Sequence, residues 1–301
     1  MLEFAVLGSG SSGNSAVVCL GEVRVLIDAG LSAKQLCLRL ESLGIDPDSI
    51  GAIVLTHEHG DHSRGVDVFC RKRKLPIYGT AHTCRIVEET VRSEVIWRHF
   101  EAGCDFEIGT GLRVGTFSVP HDAVDPVGFV FRGKKSSLGV LSDVGHVTHM
   151  IVDHLRGIDA LFTECNYDET MLLNDTIRPW ATKQRISNRH GHLSNEQTAD
   201  LVAKIASPNL YQIVLGHLSS DCNSPDLACR VISKKLHQIG HHQVQVECAD
   251  RKSPLPLRPV ARDVRVAEVA RVTKVAESRT GPPVTGGPES DGQWRQSEWA
   301  F

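Results

Sequence analysis

At 301 residues the chain is long enough for one large domain or two small ones, and its 41% hydrophobic and 23% charged content is that of a soluble globular protein. A net charge of -3, with all 15 histidines counted neutral, argues against a generally basic nucleic-acid-binding surface while leaving room for a local basic channel. No apolar run approaches the roughly 20 residues of a membrane span, the start Met1-Leu2-Glu3-Phe4 lacks a signal peptide's basic and apolar regions, and nine scattered cysteines without a Cys-x-x-Cys pair suit a reducing compartment, so a cytoplasmic protein with no membrane partner is expected.

The first part of the chain reads as β-rich. A strand over 3–7 gives way to Gly8-Ser9-Gly10-Ser11-Ser12-Gly13-Asn14-Ser15, and residues 16–20 and 23–27 predict a hairpin around Gly21-Glu22. Ser32 is placed to cap a helix whose Leu36, Leu40 and Leu43 keep helical spacing until Gly44 stops it. A strand over 52–55 and a polar loop follow, then a helix over 64–74, an extended stretch over 76–78 and a helix over 81–91. From 104 to 141 the pattern returns to strands, with alternation in Leu112-Arg113-Val114-Gly115-Thr116-Phe117 and apolar runs over 127–131 and 138–141. The remainder alternates: a strand within 155–164, a helix over 195–206, a strand over 212–215, a helix over 226–240 and a short strand over 244–246.

Two successive β-then-α halves predict an α+β fold in which two sheets pack face to face with helices outside, a four-layer αβ/βα sandwich over residues 1–253. Residues 254–301 have a different character, with Gly281-Pro282-Pro283 and Gly286-Gly287-Pro288 breaking any element. They are expected to be a disordered tail, with a marginal helix over 261–277 and a partner-binding role for Trp294 and Trp299 as the alternatives.

The densest chemistry lies in His57-x-His59-x-Asp61-His62, directly after the apolar run Ala52-Ile53-Val54-Leu55. Imidazole nitrogens and a carboxylate oxygen are ligands that Zn, Mn or Fe accept, and a strand ending in a tight loop can turn several of them toward one point. Zincins instead set two histidines four apart on a helix, so this spacing belongs on a loop. Further ligands must come from elsewhere, and three candidates each follow an apolar strand: His121, Asp143 and His217. Any one alone reads equally as a hydrogen-bonded edge residue. Delivered together to one sheet edge, they make a rigid site.

These residues resemble the metallo-β-lactamase superfamily, and the resemblance covers residues 1–249. It narrows to the YycJ (WalJ/VicX) family on Gly8-Ser9-Gly10-Ser11-Ser12-Gly13-Asn14-Ser15, Ile27-Asp28-Ala29-Gly30-Leu31-Ser32, His121-Asp122-Ala123-Val124-Asp125-Pro126-Val127-Gly128, Ser142-Asp143-Val144-Gly145-His146-Val147-Thr148 and Gly191-His192-Leu193-Ser194-Asn195. The family often has Ser where this chain has Gly60, a small-for-small exchange. The resemblance implies two divalent metal ions, Zn or Mn: His57, His59 and His121 holding one, Asp61, His62 and His217 the other, with Asp143 between them. Such a pair suits phosphodiester hydrolysis. The resemblance also gives Asp61 a catalytic role in orienting the attacking water. By similarity to related tRNA-processing nucleases, His192 binds the scissile phosphate or donates a proton to the leaving group; the alternative is an exposed turn residue.

Ser194 and Asn195 are placed to cap the helix after His192, whose N-terminal amides can serve a phosphate. Lys183, Arg185 and Arg189 precede the loop closely and can track a nucleic-acid backbone. The small-residue stretch Gly8 to Ser15 can cradle a terminal phosphate, with Asn14 as the candidate contact, and reads equally as a tight strand-to-strand crossing beside the metals. Arg71-Lys72-Arg73-Lys74 reads first as a solvated helix end. His146 and Glu164 are candidates for supporting roles behind the metals. The resemblance implies a 5′-to-3′ exonuclease, on DNA rather than RNA, in replication or repair. The rivals are a small-molecule hydrolase on the same metals (cyclic phosphodiesterase, lactonase or thioesterase) and a regulatory binding protein stabilised by metal. A basic groove would favour the nuclease; a closed apolar pocket would favour the small-molecule hydrolase.

Overall fold

The computed structural model describes residues 1–261. Its strands form two seven-stranded sheets. The first holds, in chain order, β1 (Leu2–Gly8), β2 (Ser15–Leu20), β3 (Val23–Ile27), β4 (Ala52–Val54), β5 (Pro76–Thr80) and β6 (Ile96–Phe100). The second holds β7 (Asp105–Ile108), β8 (Leu112–Ser118), β9 (Val127–Arg132), β10 (Ser137–Leu141), β11 (Ala160–Glu164), β12 (Gln212–Gly216) and β13 (Gln245–Cys248). A last strand, β14 (Arg258–Pro259), returns to the first sheet outside β1. Both sheets follow one plan: antiparallel strands first, then parallel strands β4 to β6 and β11 to β13.

Parallel neighbours need crossovers, and helices supply them. In the first half these are α1 (Ala33–Ser42), α2 (Gly60–Ser63), α3 (Val66–Cys70) and α4 (Ala81–Glu88). In the second they are α5 (His149–Leu155), α6 (Glu169–Asn174), α7 (Trp180–Ser187), α8 (Asn195–Ile205) and α9 (Pro225–Gln238). The period of two in the strands then decides which side each residue serves. In β1, Leu2, Phe4 and Val6 join the core between the sheets, whereas Ala5 and Leu7 face the helical side with Leu36, Leu40 and Phe69. In β12, Val214 lies between the sheets, and Ile213 and Leu215 pack with Ile151, Leu201 and Ile232 of the opposite helical layer. Three apolar seams separate four layers, which is the αβ/βα sandwich predicted above. Each fully buried Leu or Phe in them contributes roughly 1.5–3 kcal/mol.

The expected helix over 64–74 is not continuous. At Gly65, between α2 and α3, the amide that a continuous helix would bond to Asp61 O donates to Ala29 O at 2.7 Å, an approach that glycine permits because a Cβ there would meet that oxygen at 2.6 Å and Leu31 O at 2.1 Å. After Cys70 the chain turns, and three of the four basic residues there face acids: Arg71 pairs with Asp67 at 2.9 Å, Arg73 with Asp48 at 2.7 Å and Lys74 with Glu94 at 3.0 Å. Strand β6 and helices α5, α6 and α7 had no predicted counterpart. Helix α7 buries none of its residues, so it carries no apolar period to read.

The predicted domain end at 253 is too early. Leu255 N donates to Val6 O at 2.9 Å, Val260 N donates to Leu2 O at 2.9 Å, and the Val260 side chain is buried in the inter-sheet core. Short, Pro-rich edge strands carry little periodic signal, which is why this one reads as tail. The remaining tail, including the marginal helix beyond Ala261 and Trp294 and Trp299, lies outside the described residues. Among the described residues, no helix is long and apolar enough to cross a membrane.

Candidate metal centre

The carboxyl ends of strands from both sheets meet at one edge of the sandwich. β3 delivers Asp28, β4 leads through Thr56 into His57, His59 and, at the start of α2, Asp61 and His62; β8 leads to His121, β10 to Asp143, β11 ends in Glu164, and β12 leads to His217. Among the described residues, three non-glycine residues have positive φ: Asp28 at 56°, Asp143 at 47° and His217 at 50°. Each follows a strand by one or two positions, and each turns a polar side chain back across the strand ends. Such conformations cost on the order of 1–3 kcal/mol apiece and persist where the surroundings over-determine them.

Asp143 is the hub. Its Oδ2 lies 3.6 Å from His57 Nε2, 3.3 Å from His62 Nε2 and 3.7 Å from His121 Nε2, and its Oδ1 accepts a hydrogen bond from His217 Nδ1. His57, His59, His121 and Asp143 bring ligand atoms within 4.8 Å of one another, as do Asp61, His62 and Asp143. His217 falls differently from its expected set: the grouping it joins is Asp143, Glu164 and His192. Its Nε2 nevertheless faces Asp61 Oδ2 at 3.7 Å, the same separation as His62 Nε2 from that oxygen.

The rings are held from behind. Asp28 accepts from Thr56 N at 2.8 Å, from Thr56 Oγ1 at 2.8 Å and from His62 Nδ1 at 2.7 Å. His57 Nδ1 lies 3.0 Å from Thr56 Oγ1, and His121 Nδ1 donates to Gly191 O at 3.1 Å. With Nδ1 occupied in each ring, Nε2 is left as the lone-pair donor toward the centre. Gly30 lets this loop close on itself: Asn14 N donates to Asp61 O at 2.8 Å, and a Cβ at Gly30 would stand 1.6 Å from that oxygen.

His57 Nε2 and His121 Nε2 are buried without a hydrogen-bond partner. An unpartnered buried nitrogen is costly, and two of them aimed at one buried carboxylate are what a divalent cation would satisfy. The nitrogen-and-oxygen donor set fits such an ion. Electrostatics agree for His57 and His121. Burial, reinforced by His62, pushes the His57 imidazole well below its usual range, and burial lowers His121. Burial opposes the charged form of His62 too, but Asp143 and Asp28 outweigh it and raise that ring well above its usual range. For Asp143 burial acts upward and is overcome by His217 and His62, which hold the carboxyl well below the carboxylate range.

A pocket of about 290 Å³ opens over this cluster. His192 and Arg185 line it, as do His59, Asp61, His121, Asp143 and His217; among the described residues Ile186 is the single apolar side chain in its wall. His192 Nδ1 donates to Glu164 Oε2 at 2.9 Å, while Glu164 Oε1 accepts from Val144 N at 2.6 Å and Leu193 N at 3.2 Å. Burial works against protonation of His192, but the Glu164 carboxylate prevails and raises the imidazole to about 9.

Four expected substrate contacts are placed elsewhere. Ser194 and Asn195 are fully buried. Ser194 forms a capping box with Gln197 and donates to Glu169 at 3.0 Å, and Asn195 bonds Asn223 at 3.1 Å, so both are structural and present no surface to a ligand. Asn14 is 4% exposed: its Nδ2 donates to Asp61 Oδ2 at 3.2 Å and lies 3.0 Å from His62 Nε2, while its Oδ1 accepts from Gly10 N at 2.8 Å, so it positions Asp61 from behind. Lys183 is half-buried, donates from its ammonium to Leu173 O at 2.8 Å and does not line the pocket. Arg185 does line it, with Nε donating to Asp122 Oδ2 at 2.7 Å. His146 is tied to Arg189, whose carbonyl its Nδ1 meets at 2.9 Å.

Asp28, Thr56 and Asp122 are site residues that the sequence reading did not assign. Asp28 carried a usable signal, since it follows an apolar strand as Asp143 and His217 do. Asp122 had one too, being adjacent to His121.

Known proteins bear on this geometry in three ways. A family model described as a beta-lactamase superfamily domain matches residues 23–217. The exodeoxyribonuclease YycJ of Bacillus anthracis is 31% identical over 263 residues, 86% of this chain and 99% of that protein, and the exodeoxyribonuclease WalJ of Streptococcus pneumoniae is 33% identical over 240 residues, 78% of this chain and 88% of that protein. Among solved structures, the metallo-beta-lactamase fold protein YhfI from Bacillus subtilis superposes with a TM-score of 0.64 at 15% identity, covering 85% of this chain and 99% of that one. With the same fold, the His- and Asp-bearing strand ends and relatives that match over most of their length, this chain belongs to the metallo-β-lactamase-fold hydrolases, in the YycJ/WalJ family.

Proposed function

We propose that the chain is a phosphodiesterase with two divalent metals, Zn or Mn, that removes nucleotides from the 5′ end of DNA in replication or repair. The observation that carries this reading is the pocket itself: a floor of histidines and carboxylates faced by the His192–Glu164 pair, with Arg185 on the wall and one apolar side chain. A closed apolar pocket, as a lactonase or thioesterase would need, is not what surrounds these ligands. A purely regulatory role leaves the pairing of His192 with Glu164 without use. The names of the two relatives support nucleic acid, and DNA over RNA, as the substrate.

His57, His59 and His121 would hold one ion, Asp61, His62 and His217 the other, with Asp143 shared. When bound, such ions neutralise phosphoryl oxygens and make water nucleophilic near neutral pH. The chain's own residues do the rest. Asp61, steadied by Asn14 Nδ2, accepts a hydrogen bond from the attacking water and aims it at phosphorus. His192, kept protonated by Glu164, gives its proton to the oxygen that departs as the P–O bond breaks. Arg185 stands at the rim to receive a non-bridging oxygen or the next phosphate.

The test is to incubate metal-loaded protein with end-labelled single- and double-stranded DNA, RNA and bis(p-nitrophenyl) phosphate, beside an Asp61→Ala control. Shortening of 5′-labelled DNA by the parent alone is expected. Equal, slow release from every substrate by parent and control would end the enzyme reading.

A further inference from the structure

Four of the eleven large apolar side chains that stand exposed among the described residues fall within ten positions: Met171, Leu173, Ile177 and Trp180, the last two 83% and 61% exposed. Exposure there is not looseness. Arg178 clamps the turn before α7, donating to Asp175 at 2.7 Å and to Asp221 at 2.6 Å, and Ile177 N donates to Asp175 Oδ1 at 2.8 Å. At its other end α7 abuts the pocket, for His192 N donates to Ile186 O at 2.8 Å and Thr182, Arg185 and Ile186 line the cavity. Trp180 lies six residues from Ile186, on the order of 9 Å along the helix axis. An anchored segment of exposed apolar side chains that runs into the wall of a charged pocket marks a binding surface.

The charges beside it choose the occupant. Lys183, which is one turn from Trp180 on the same helical face, gives one ammonium hydrogen to Leu173 O and keeps its charge beside the patch, and Arg185, whose Nε holds Asp122 at 2.7 Å, follows at the pocket rim. The nearby acids are engaged internally: Asp175 with Arg178, Asp168 at Met171 N at 2.8 Å, and Glu169 with Ser194. A flat aromatic face flanked by cations is the arrangement that takes a nucleobase and its phosphate, and unpaired strands are held this way. We propose that Trp180 stacks a base of an unpaired nucleotide strand, one or two nucleotides beyond the phosphate at the metals, so that the substrate class of this site is a single-stranded nucleic-acid end. This assignment rests on the phosphodiesterase reading above.

The experiment measures binding of a fluorescein-labelled single-stranded DNA to full-length Asp61→Ala protein by anisotropy, with Trp180→Ala and Trp180→Phe added in that background. Loss of one stacked base should weaken binding about tenfold in the alanine variant, while phenylalanine, which keeps a ring, should retain most of it. Equal affinity of the alanine variant and its parent overturns the platform, as does absence of binding by the parent. So does a change of oligomeric state on Trp180→Ala in light scattering, which would identify a second copy of the chain as the occupant. Turnover of bis(p-nitrophenyl) phosphate by the unsubstituted protein is read separately. Its failure counts against the phosphodiesterase reading, whereas unchanged oligonucleotide affinity counts against Trp180 alone.

Discussion

Asp28 and His62 form the join between the end of β3 and the cluster: the carboxylate Oδ2 stands 2.7 Å from Nδ1 of a fully buried ring whose Nε2 points to Asp143 at 3.3 Å. Both side chains are buried, and on its Nδ1 side the ring is oriented by this partner and by Thr56 Oγ1 at 3.3 Å. A carboxylate behind a ligating imidazole fixes the tautomer and raises the basicity of the other nitrogen.

Replacing Asp28 with Asn should therefore weaken divalent-metal binding by about 10–100-fold, the usual effect of losing such a support. Metal content after dialysis against a graded chelator, measured by mass spectrometry, reads this directly. Far-ultraviolet circular dichroism separates it from unfolding. Metal retention equal to the parent's would show that Asp28 holds only Thr56.

His192 lies close enough to Asp143, Glu164 and His217 to be either a proton donor or a ligand. The two roles separate experimentally. As a proton donor its replacement in His192→Ala should lower kcat about 10²–10⁴-fold with metal stoichiometry unchanged. Loss of one equivalent of metal would assign it to the ligand set and leave the leaving-group proton without a source.

Much of this centre was legible in the sequence because strands ending at one edge leave a plain trace: an apolar run followed at once by His or Asp, as at His57, His121, Asp143 and His217. Which residues gather at that edge is local information. Support is not. Asn14, Ser194 and Asn195 have the chemistry of substrate contacts, and only burial reveals that Asn14 serves Asp61 and that the other two serve a helix cap and a side-chain network. Helix α7 was invisible for a related reason, since a helix with no buried face has no hydrophobic period. The break at Gly65 comes from its amide bonding to Ala29 O, a contact between segments far apart in the chain.

Asp67 supplies a pH dependence away from the metals. Its Oδ1 accepts from Ser93 Oγ, Arg92 N and Ser93 N, each at 2.8 Å, and Arg71 pairs with its other oxygen, so its pKa is lowered to about 2. A carboxylate depressed in the folded state contributes stability that is complete above the unfolded value near 4 and is lost as pH falls toward 2. The urea midpoint should accordingly drop on going from pH 5 to pH 2.5, and Asp67→Ala should reduce that drop while lowering stability at pH 7. Identical pH slopes for parent and variant would remove this carboxylate from the acid response.

The edge strand β14 makes the last prediction. Gln212 Nε2 donates to Pro259 O at 2.7 Å, Leu255 and Val260 donate to β1, and Val260 closes the inter-sheet core with no exposed surface. Burying that valine alone is worth roughly 1.5–3 kcal/mol. A chain ending at Ser253 should be less stable than one ending at Ala261 by at least that amount, seen as a lower urea midpoint with little change in slope. Removal of 254–261 also uncovers the outer edge of β1, a row of unpaired amides and carbonyls next to apolar Leu2, Phe4 and Val6, so the shorter chain should aggregate on warming where the longer one does not. Equal midpoints for the two truncations would mean that β14 rests on the sheet without supporting it.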